Sequence, residues 1–324
     1  AWSNNATILN SFFTASASTT GSFYIDVYNA SVASNTSSIQ FSIAYGQLTG
    51  LGSSPLNSLV PSNTPSRITF GQYRNLIYGD AESAVNFGTG NTSSIDLIAI
   101  PIDRNRYKES LFPGAMTLKI TSGSNTVFLT DNSLVARSIV FKDAGRVFQL
   151  VSGSAGSVNT TKQANGYTVG SGSYGWLLPD IGTIILNPLA LAAPAVSGGI
   201  AFVYSGSAYS GSATYTNNTS ANSQLFRAIS GSTGFTLNSQ ETIVSDYIFV
   251  RPRSSEFNYS ENPSFISGST GEVLYSQFIN NPQVYITTIG LYNDTNDLLA
   301  VAKLSRPLLK DFTKEALVRV KLDF

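Results

Sequence analysis

Apolar and polar residues alternate most regularly at the C-terminal end of the chain. Residues 318–324 read Val-Arg-Val-Lys-Leu-Asp-Phe, so every second side chain is apolar and those between are charged. This period of two predicts a half-buried β-strand with one apolar and one charged face. Just upstream, the apolar segments 284–292 and 298–304 flank residues 293–297, which are Asn-Asp-Thr-Asn-Asp. Because Asn and Asp favour turns, this region predicts a β-hairpin.

Two further hairpins are predicted nearer the middle of the chain. One joins residues 116–120 to residues 127–130, and the other joins residues 138–142 to residues 146–151. In both, β-branched and aromatic residues form the arms, and Gly, Ser, Asn or Asp lie between them, as is typical of strands and turns.

Helix signals are few and short. Residues 220–229 precede Ser230 and Gly231, which predicts about two turns with a glycine stop, and residues 311–316 predict one turn before the last strand. We expect both to be connectors. The chain is therefore predicted to be all-β, with an antiparallel β-sandwich architecture, long Gly/Ser loops and few short helices.

Composition narrows the possible chemistry. The 324 residues contain no His and no Cys, which excludes histidine bases, Ser-His and Cys-His nucleophile pairs, the usual zinc sites and disulfides. Only 12% of the residues are charged, and the net charge is zero. This balance does not favour a nucleic-acid-binding or membrane-binding protein. The longest apolar run, 184–196, is interrupted by Asn and Pro, so we expect no membrane span.

Charge is distributed unevenly along the chain. Residues 151–240 contain three charged side chains, whereas residues 301–324 contain nine. The charge-poor part includes Gly/Ser-rich segments, which predict either exposed loops or loops that become ordered only against neighbouring subunits. We place a domain boundary in the first of them. This predicts domains 1–155 and 156–324, with residues 156–240 as an interface region and residues 284–324 as a terminal hairpin and strand.

Three glycines match a nucleotide-binding pattern. Gly170, Gly172 and Gly175 satisfy G-x-G-x-x-G, but the Trp-Leu-Leu-Pro-Asp that follows does not open a helix. Because the pyrophosphate of a dinucleotide needs that helix N-terminus, we interpret the glycines as a turn-rich loop. No cofactor is expected.

Carboxylates are the remaining candidates for acid–base or metal chemistry. The possible pairs for a glycosidase are Asp80 with Glu82, Asp96 with Asp103, and Asp294 with Asp297. Each pair lies in sequence better explained by turns or strand edges. The turn at residues 293–297 is also too short for an EF-hand calcium loop. We therefore expect no enzyme activity and no metal site.

A basic run follows the apolar segment 95–102. It contains Arg104, Arg106 and Lys108 around Tyr107, and an acidic residue flanks it on each side. Basic residues with stacking aromatics are typical of nucleic-acid binding, but this run is short and its charge is balanced. We interpret it as a solvated or subunit-facing strand end.

Aromatic residues supply the candidate interface. The segment 257–265, Phe-Asn-Tyr-Ser-Glu-Asn-Pro-Ser-Phe, predicts an irregular loop that is either an internal plug or an interface loop. Two more aromatic residues lie in the charge-poor part, where an interface core would be expected because such cores are depleted in charge. The candidate interface residues are Tyr174, Trp176, Phe257, Tyr259 and Phe265.

Several segments together resemble a known protein family. They are residues 68–76, 103–114, 173–187, 257–265, 285–294 and 298–305. These segments resemble virion structural proteins of contractile-tailed bacteriophages, especially marine cyanophages. The resemblance implies a virion protein that contacts copies of itself and other virion proteins. We place it in the tail, neck or baseplate rather than among head decoration proteins.

A second class of protein shares this composition. Receptor-binding fibres, adhesins and other carbohydrate-binding β-sandwiches use exposed aromatic side chains as platforms for sugars, including glycans on a host surface. The residues to test for this alternative are Trp2, Tyr174, Trp176 and Tyr209. A carboxylate-dependent glycosidase is the third alternative.

Overall fold

The computed structural model describes residues 7–9, 13–14, 24–53, 64–88, 93–160, 173–202, 219–230 and 234–323. The chain divides into two compact units. Unit 1 extends to Glu241, and unit 2 begins at Thr242.

Unit 1 consists mainly of short strands. They are β1 (Thr7–Leu9), β2 (Phe13–Thr14), β3 (Tyr24–Tyr28), β4 (Ile39–Gln47), β5 (Asp96–Pro101), β6 (Ser110–Leu111), β7 (Thr117–Ser122), β8 (Asn125–Asp131), β9 (Val140–Lys142), β10 (Gly145–Ser154), β11 (Ser157–Val158), β12 (Gly175–Leu178), β13 (Thr183–Leu186), β14 (Phe235–Leu237) and β15 (Ser239–Gln240). The α-helices among the described residues of unit 1 are α1 (Pro65–Tyr78), α2 (Pro188–Ala192) and α3 (Thr219–Ser230), and residues Arg104–Arg106 and Ala195–Ser197 form short 3-10 helices.

One large antiparallel sheet organises unit 1. Its strand order is β1-β14-β7-β8-β10-β12-β13-β5-β4-β3-β2, and β9 and β11 also pair with β10. β15 pairs with β6 separately. The protein is therefore all-β with antiparallel pairing, as predicted.

The sheet curls around its main core. Phe41 on β4 packs edge-to-face against Phe235 on β14, with ring centroids 5.3 Å apart. These strands are far apart in the strand order, so the two ends of the sheet face each other across a common interior. The two central strands β5 and β13 are covered on both faces. On β5, for example, Ile98 belongs to the main core, whereas Leu97 belongs to a second apolar cluster that includes Phe70 of α1.

The division between the units differs from the predicted boundary at residue 155. β10 pairs with β8 on one side and with β12 on the other, so residues before and after the expected boundary share one sheet. The Gly/Ser-rich segment there is a tight turn between β10 and β11, in which Ser154 pairs with Ser157. Ala155 and Gly156 have φ angles of 47° and 78°, which suit a turn rather than a linker.

The predicted hairpins are present. β7 pairs with β8, and β9 pairs with β10. The predicted helix at residues 220–229 is α3, which buries Leu225, Ala228 and Ile229 in the main core and so does more than connect strands. By contrast, residues 311–316 form a turn, in which the Thr313 N–H donates to the Asp311 carboxylate, and not a helix.

Helix α1 has fourteen residues and is longer than the short helices that the sequence predicts. The Thr64 hydroxyl accepts a hydrogen bond from the Arg67 N–H and Pro65 occupies the first turn, both of which favour a helix start. The helix ends at Gly79, whose φ of 73° suits glycine and whose N–H donates to the Asn75 carbonyl.

Unit 2 contains two separate two-stranded sheets. Its elements are β16 (Ser245–Val250), α4 (Gln277–Asn280), β17 (Val284–Tyr292), β18 (Leu298–Lys310) and β19 (Val318–Asp323). β16 pairs with β19, and β17 pairs with β18 in the predicted hairpin. β19 is the predicted C-terminal strand, with Val320 buried and Arg319 and Lys321 exposed.

The interior of unit 2 is small. Among its described residues, the buried large hydrophobic side chains are Phe265, Val284 and Val320. The buried polar residues are Asn258, Lys310 and Asp311. Both extended hydrophobic clusters found among the described residues are made of unit 1 residues.

Candidate functional site

The two predicted interface residues of unit 1 belong to its interior. Tyr174 is fully buried in the main core, and its hydroxyl donates a hydrogen bond to the Gly198 carbonyl. Trp176 is half-buried and stacks on Phe87 at a centroid distance of 6.5 Å. Tyr174 is therefore neither an exposed contact residue nor an open sugar platform. Trp2 and Tyr209, the other residues of the carbohydrate alternative, lie outside the described residues.

The three predicted interface residues of unit 2 lie in one irregular loop, and their environments differ. Phe265 is buried and forms an edge-to-face contact with Tyr259 at 5.7 Å. Phe265 also packs against Phe278, with ring centroids 5.3 Å apart. Tyr259 is 53% exposed and Phe257 is 68% exposed. From sequence, an internal plug and an interface loop are alternatives for this segment. The loop has a buried ring, as a plug would, and also two exposed aromatic rings.

Phe257 is held in an unusual backbone conformation. Its φ of 55° lies in the left-handed region, which bulky residues rarely adopt. A strained residue persists only where its surroundings hold it in place. Here the Asn258 side-chain amide donates to the Ser254 carbonyl at 2.7 Å, which closes the loop beneath the exposed ring.

The buried side chain of Lys310 anchors this loop through hydrogen bonds. Its side chain is fully buried, and Nζ donates hydrogen bonds to the Ser254 carbonyl at 2.9 Å, to Asn258 Oδ1 at 2.7 Å and to the Asp311 carbonyl at 3.0 Å. An ammonium group has three N–H donors, so these three oxygens satisfy it completely. Lys310 therefore joins the end of β18 to the loop that presents Phe257.

A groove of about 720 Å³ runs beside this loop. The exposed aromatic rings of Phe257, Tyr259 and Tyr285 line it, together with the side-chain amides of Asn262 and Gln283. Hydroxyl side chains from the loop and from β17 complete the polar part of the lining. Of the described residues that form this groove, none is charged.

Exposed apolar side chains cover much of the rest of unit 2. Sixteen large hydrophobic residues in the described part of this unit are exposed: Ile243, Val244, Tyr247, Phe249, Phe257, Tyr259, Leu274, Tyr275, Ile279, Tyr285, Tyr292, Leu298, Leu299, Val301, Phe312 and Leu317. Such extensive apolar exposure is typical of an interaction surface. Phe257 and Tyr259 are the two of these residues that are predicted from sequence to lie at an interface. The exposure of the others depends on what the folded unit packs against them, which local sequence does not show.

The candidate carboxylate pairs have other partners. Asp80 accepts a hydrogen bond from the Glu82 N–H at 3.0 Å, and this bond lowers the pKa of Asp80. Glu82 itself forms an ion pair with Arg67 at 2.7 Å. Asp96 begins β5 and Asp103 follows the end of that strand, which places them more than about 16 Å apart. Two carboxylates that flank one glycosidic bond lie within about 10 Å of each other.

Asp294 and Asp297 lie in the turn between β17 and β18. The Asp297 carboxylate accepts hydrogen bonds from the Thr295 hydroxyl at 2.7 Å and from the Asn293 amide at 3.1 Å, and these bonds lower its pKa. They stabilise the turn itself. Across the described parts of the chain, no group of three or more acidic residues is arranged to hold a metal ion.

The basic run is bound to its own unit. Arg106 Nε donates to the Ile39 carbonyl at 3.0 Å, and the Arg104 guanidinium lies 4.7 Å from the centre of the Tyr107 ring. Lys108 forms an ion pair with Glu241. All three basic side chains of the run therefore interact with other groups of unit 1.

Gly175 is the described member of the nucleotide-binding pattern, since Gly170 and Gly172 lie outside the described residues. It is the first residue of β12 and pairs with Leu186 on β13. A Cβ atom at this position would overlap the Ile185 carbonyl oxygen, so glycine is required by the close approach of the neighbouring strand. Strand pairing thus accounts for this glycine.

Asp96 is a buried carboxyl with a marked pKa shift. Burial raises its pKa to about 6, although the hydrogen bond donated by the Tyr45 hydroxyl at 2.6 Å favours the ionised form. The folded protein therefore binds this proton more tightly than the unfolded chain. Asp96 contributes most to stability below pH 4, and that contribution is lost as the pH rises to about 6.

We expect Asp96→Asn to stabilise unit 1 at neutral pH. The variant avoids the free-energy cost of ionising a buried carboxyl. The Oδ1 atom of the asparagine can still accept the hydrogen bond from the Tyr45 hydroxyl. A shift of this size corresponds to about 3 kcal/mol at pH 7.5 and to little difference at pH 4. Denaturant unfolding at both pH values measures the effect. An equal change in the free energy of unfolding at both pH values would contradict it.

No helix among the described residues is long and apolar enough to span a membrane. Comparison of the chain with protein-family models, with curated proteins and with solved structures finds no match in any of the three.

Proposed function

We propose that the protein is a structural subunit that assembles with further copies of itself through unit 2. The supporting observation is the imbalance in this unit, where sixteen large hydrophobic residues are exposed and three are buried. Apolar surface of this extent is normally covered by another protein.

The sheets of unit 2 lead to the same conclusion. A two-stranded hairpin is at best marginally stable alone, and three or more strands with an apolar face are usually needed. Both sheets of unit 2 have only two strands, so every strand has one unpaired edge among the described residues. Contacts with other subunits would supply the burial that unit 2 lacks.

Two exposed faces have the composition of an interface core. On the β16–β19 sheet, Tyr247 and Phe249 are exposed, and the Arg319 guanidinium lies 5.3 Å from the centre of the Tyr247 ring. On the β17–β18 hairpin, Leu299 and Val301 are exposed. Aromatic residues and arginine are enriched at protein interfaces and often dominate the binding energy.

The charge of unit 2 fits a second copy as the partner. Residues 242–324 contain eight basic and nine acidic side chains. Because the two signs nearly balance, copies do not repel each other strongly, and a partner of opposite net charge is not required.

The resemblance to virion structural proteins of contractile-tailed phages supports a virion as the assembly. On this basis we place the protein in the tail, neck or baseplate rather than in head decoration, with other virion proteins as further partners. The role is structural and not enzymatic. It requires no cofactor, nucleic acid or membrane.

We expect the double variant Phe249→Ser/Val301→Ser to assemble more weakly than the unmodified chain. Both residues are exposed, so the fold of each unit is expected to persist. Loss of an interface aromatic residue typically costs about 2 kcal/mol, so we expect association at least about 30-fold weaker. Light scattering after size exclusion over a concentration series, with electron microscopy of the same samples, measures this.

The matched control is Phe141→Ser. Phe141 is 68% exposed, as Phe249 is 61% exposed, but it lies in unit 1. We expect it to leave the mass unchanged. A monomeric full-length chain at every concentration, or equal weakening by the control, would argue against assembly through unit 2.

A further inference from the structure

The groove beside residues 257–265 has a different chemistry from the rest of the exposed surface of unit 2. We propose that it binds a neutral oligosaccharide, a function beyond the proposed structural role. Its volume of about 720 Å³ lies within the range of small-ligand sites. The proposal rests on the aromatic rings, the polar groups and the absence of charge among the described lining residues.

The aromatic rings provide platforms for sugars. The C–H face of a pyranose ring packs on an aromatic face because the hydrogens carry partial positive charge and the π face is negative. Tyr259 and Tyr285 are 53% and 64% exposed at the groove, and Phe257 is 68% exposed. Tyr259 is positioned by its edge-to-face contact with the buried Phe265.

The polar groups provide hydrogen bonds of the right kind. A neutral sugar presents hydroxyl groups, each of which both donates and accepts a hydrogen bond. The Gln283 amide and the Thr287 hydroxyl, which line the groove, also offer both functions. The Asn262 amide offers its N–H donors, because its Oδ1 accepts hydrogen bonds from the N–H and hydroxyl of Ser264. The half-buried Gln283 side chain makes no hydrogen bond within the described part of the chain. Gln283 is therefore available to a ligand.

The absence of charge limits the class of ligand. Recognition of sulfated or carboxylated glycans, phosphates or nucleic acids normally uses Arg or Lys, and the described lining contains neither. The exposed face of β16 and β19, in contrast, places Arg319 and Lys321 beside aromatic residues. The groove is thus suited to an uncharged polyhydroxylated ligand.

The groove is also preorganised. Lys310 anchors the loop through Ser254 and Asn258, and this anchoring holds Phe257 at its strained φ. A binding surface that is already ordered loses less conformational entropy when a ligand binds. Rigid placement of a strained aromatic residue has no evident role in the small interior of unit 2, because the ring points to solvent.

The test uses the full-length chain on an array of neutral glucans, mannans and galactans, with heparin and polygalacturonate fragments as charged comparisons. The tightest neutral glycan is then titrated by calorimetry, and saturation-transfer NMR identifies the sugar protons in contact. We expect binding of at least one neutral series. We expect Tyr285→Ala to weaken it about tenfold or more.

Tyr292→Ala is the matched control, because Tyr292 lies on the same strand and is 62% exposed but does not line the groove. We expect its affinity to stay within twofold of the unmodified chain. The absence of binding to every neutral glycan, preferential binding of the charged fragments, or equal loss in the control would overturn the proposal. If Tyr285→Ala instead lowers the oligomeric mass, another copy occupies the groove, which also overturns it. Failure of assembly through Phe249 and Val301 would leave the glycan result unaffected.

Discussion

A chain that ends at Glu241 is expected to fold and to remain monomeric at concentrations where the full-length protein assembles. Every strand pair of the main sheet lies within unit 1, and both hydrophobic clusters consist of unit 1 residues. The truncation therefore removes little burial from the core of unit 1, but it removes sixteen exposed large hydrophobic residues. Light scattering measures the mass, and thermal unfolding measures the retained stability.

The expected pattern is a thermal midpoint within a few degrees of the unit 1 transition in the full-length chain, together with complete loss of higher-mass species. The Phe249→Ser/Val301→Ser variant serves as an internal comparison, because it keeps residues 242–324 and changes only two exposed side chains. A truncated chain that still forms the same oligomers would place the interface in unit 1 and contradict the proposed role of unit 2.

Lys310→Met is expected to unfold much of unit 2 while leaving unit 1 folded. The substitution keeps a long apolar side chain but leaves Asn258 Oδ1 without a donor. It also removes one of the two hydrogen bonds accepted by each of the Ser254 and Asp311 carbonyls, which keep those from the Asn258 amide and the Lys314 N–H. A buried acceptor that loses its partner costs about 1–3 kcal/mol, and each of the other two lost hydrogen bonds costs about 0.5–1.5 kcal/mol, so we expect a loss of about 2–6 kcal/mol. This is a large fraction of the stability of a unit with three buried large hydrophobic residues.

Hydrogen exchange of residues 254–258 and of β18, followed by mass spectrometry, measures this loss locally. The control is Lys303→Met, which removes an exposed lysine from the same strand and is expected to change local stability by less than about 0.5 kcal/mol. Unchanged protection in Lys310→Met would show that the methionine packs well enough to replace the buried ammonium. Lys310 would then not be required to hold the Phe257 loop.

Local patterns in the sequence predict the hairpins and the C-terminal strand correctly. Both arms of such a hairpin lie close in sequence, and the Asn-Asp-Thr-Asn-Asp turn between β17 and β18 uses its own side chains to close. The alternation at residues 318–323 likewise determines which side chains of β19 face inward. These features depend on neighbouring residues, so a single sequence contains the information.

Helix α1 was missed although its end signals are present. Thr64 and Pro65 are typical of a helix start, and Gly79 is typical of a helix end. The segment between them has weak apolar periodicity, because Arg74 is buried there while Ile68 is exposed. The buried Arg74 side chain donates a hydrogen bond to the Ser83 carbonyl and forms an ion pair with Asp80. These contacts form only in the folded protein.

The aromatic segment 257–265 was identified from sequence, but the groove was not. The sequence shows that Phe257, Tyr259 and Phe265 are close together, yet only the structure separates the buried ring from the two exposed rings. Tyr285 joins them from β17, twenty residues after Phe265 in the chain. Lys310 gave no sign of burial, because a lysine in a charged segment is normally exposed.

The sequence by itself determined the all-β class, the local hairpins, the terminal strand and the absence of histidine and cysteine chemistry. Only the tertiary structure decided the division at Glu241, the burial of Tyr174 and Lys310, and the contrast between the apolar core of unit 1 and the exposed apolar surface of unit 2. The physical reason is the range of the interactions. Turn formation and alternation act between neighbours, whereas burial and strand order depend on pairings such as β1 with β14, which lie more than two hundred residues apart.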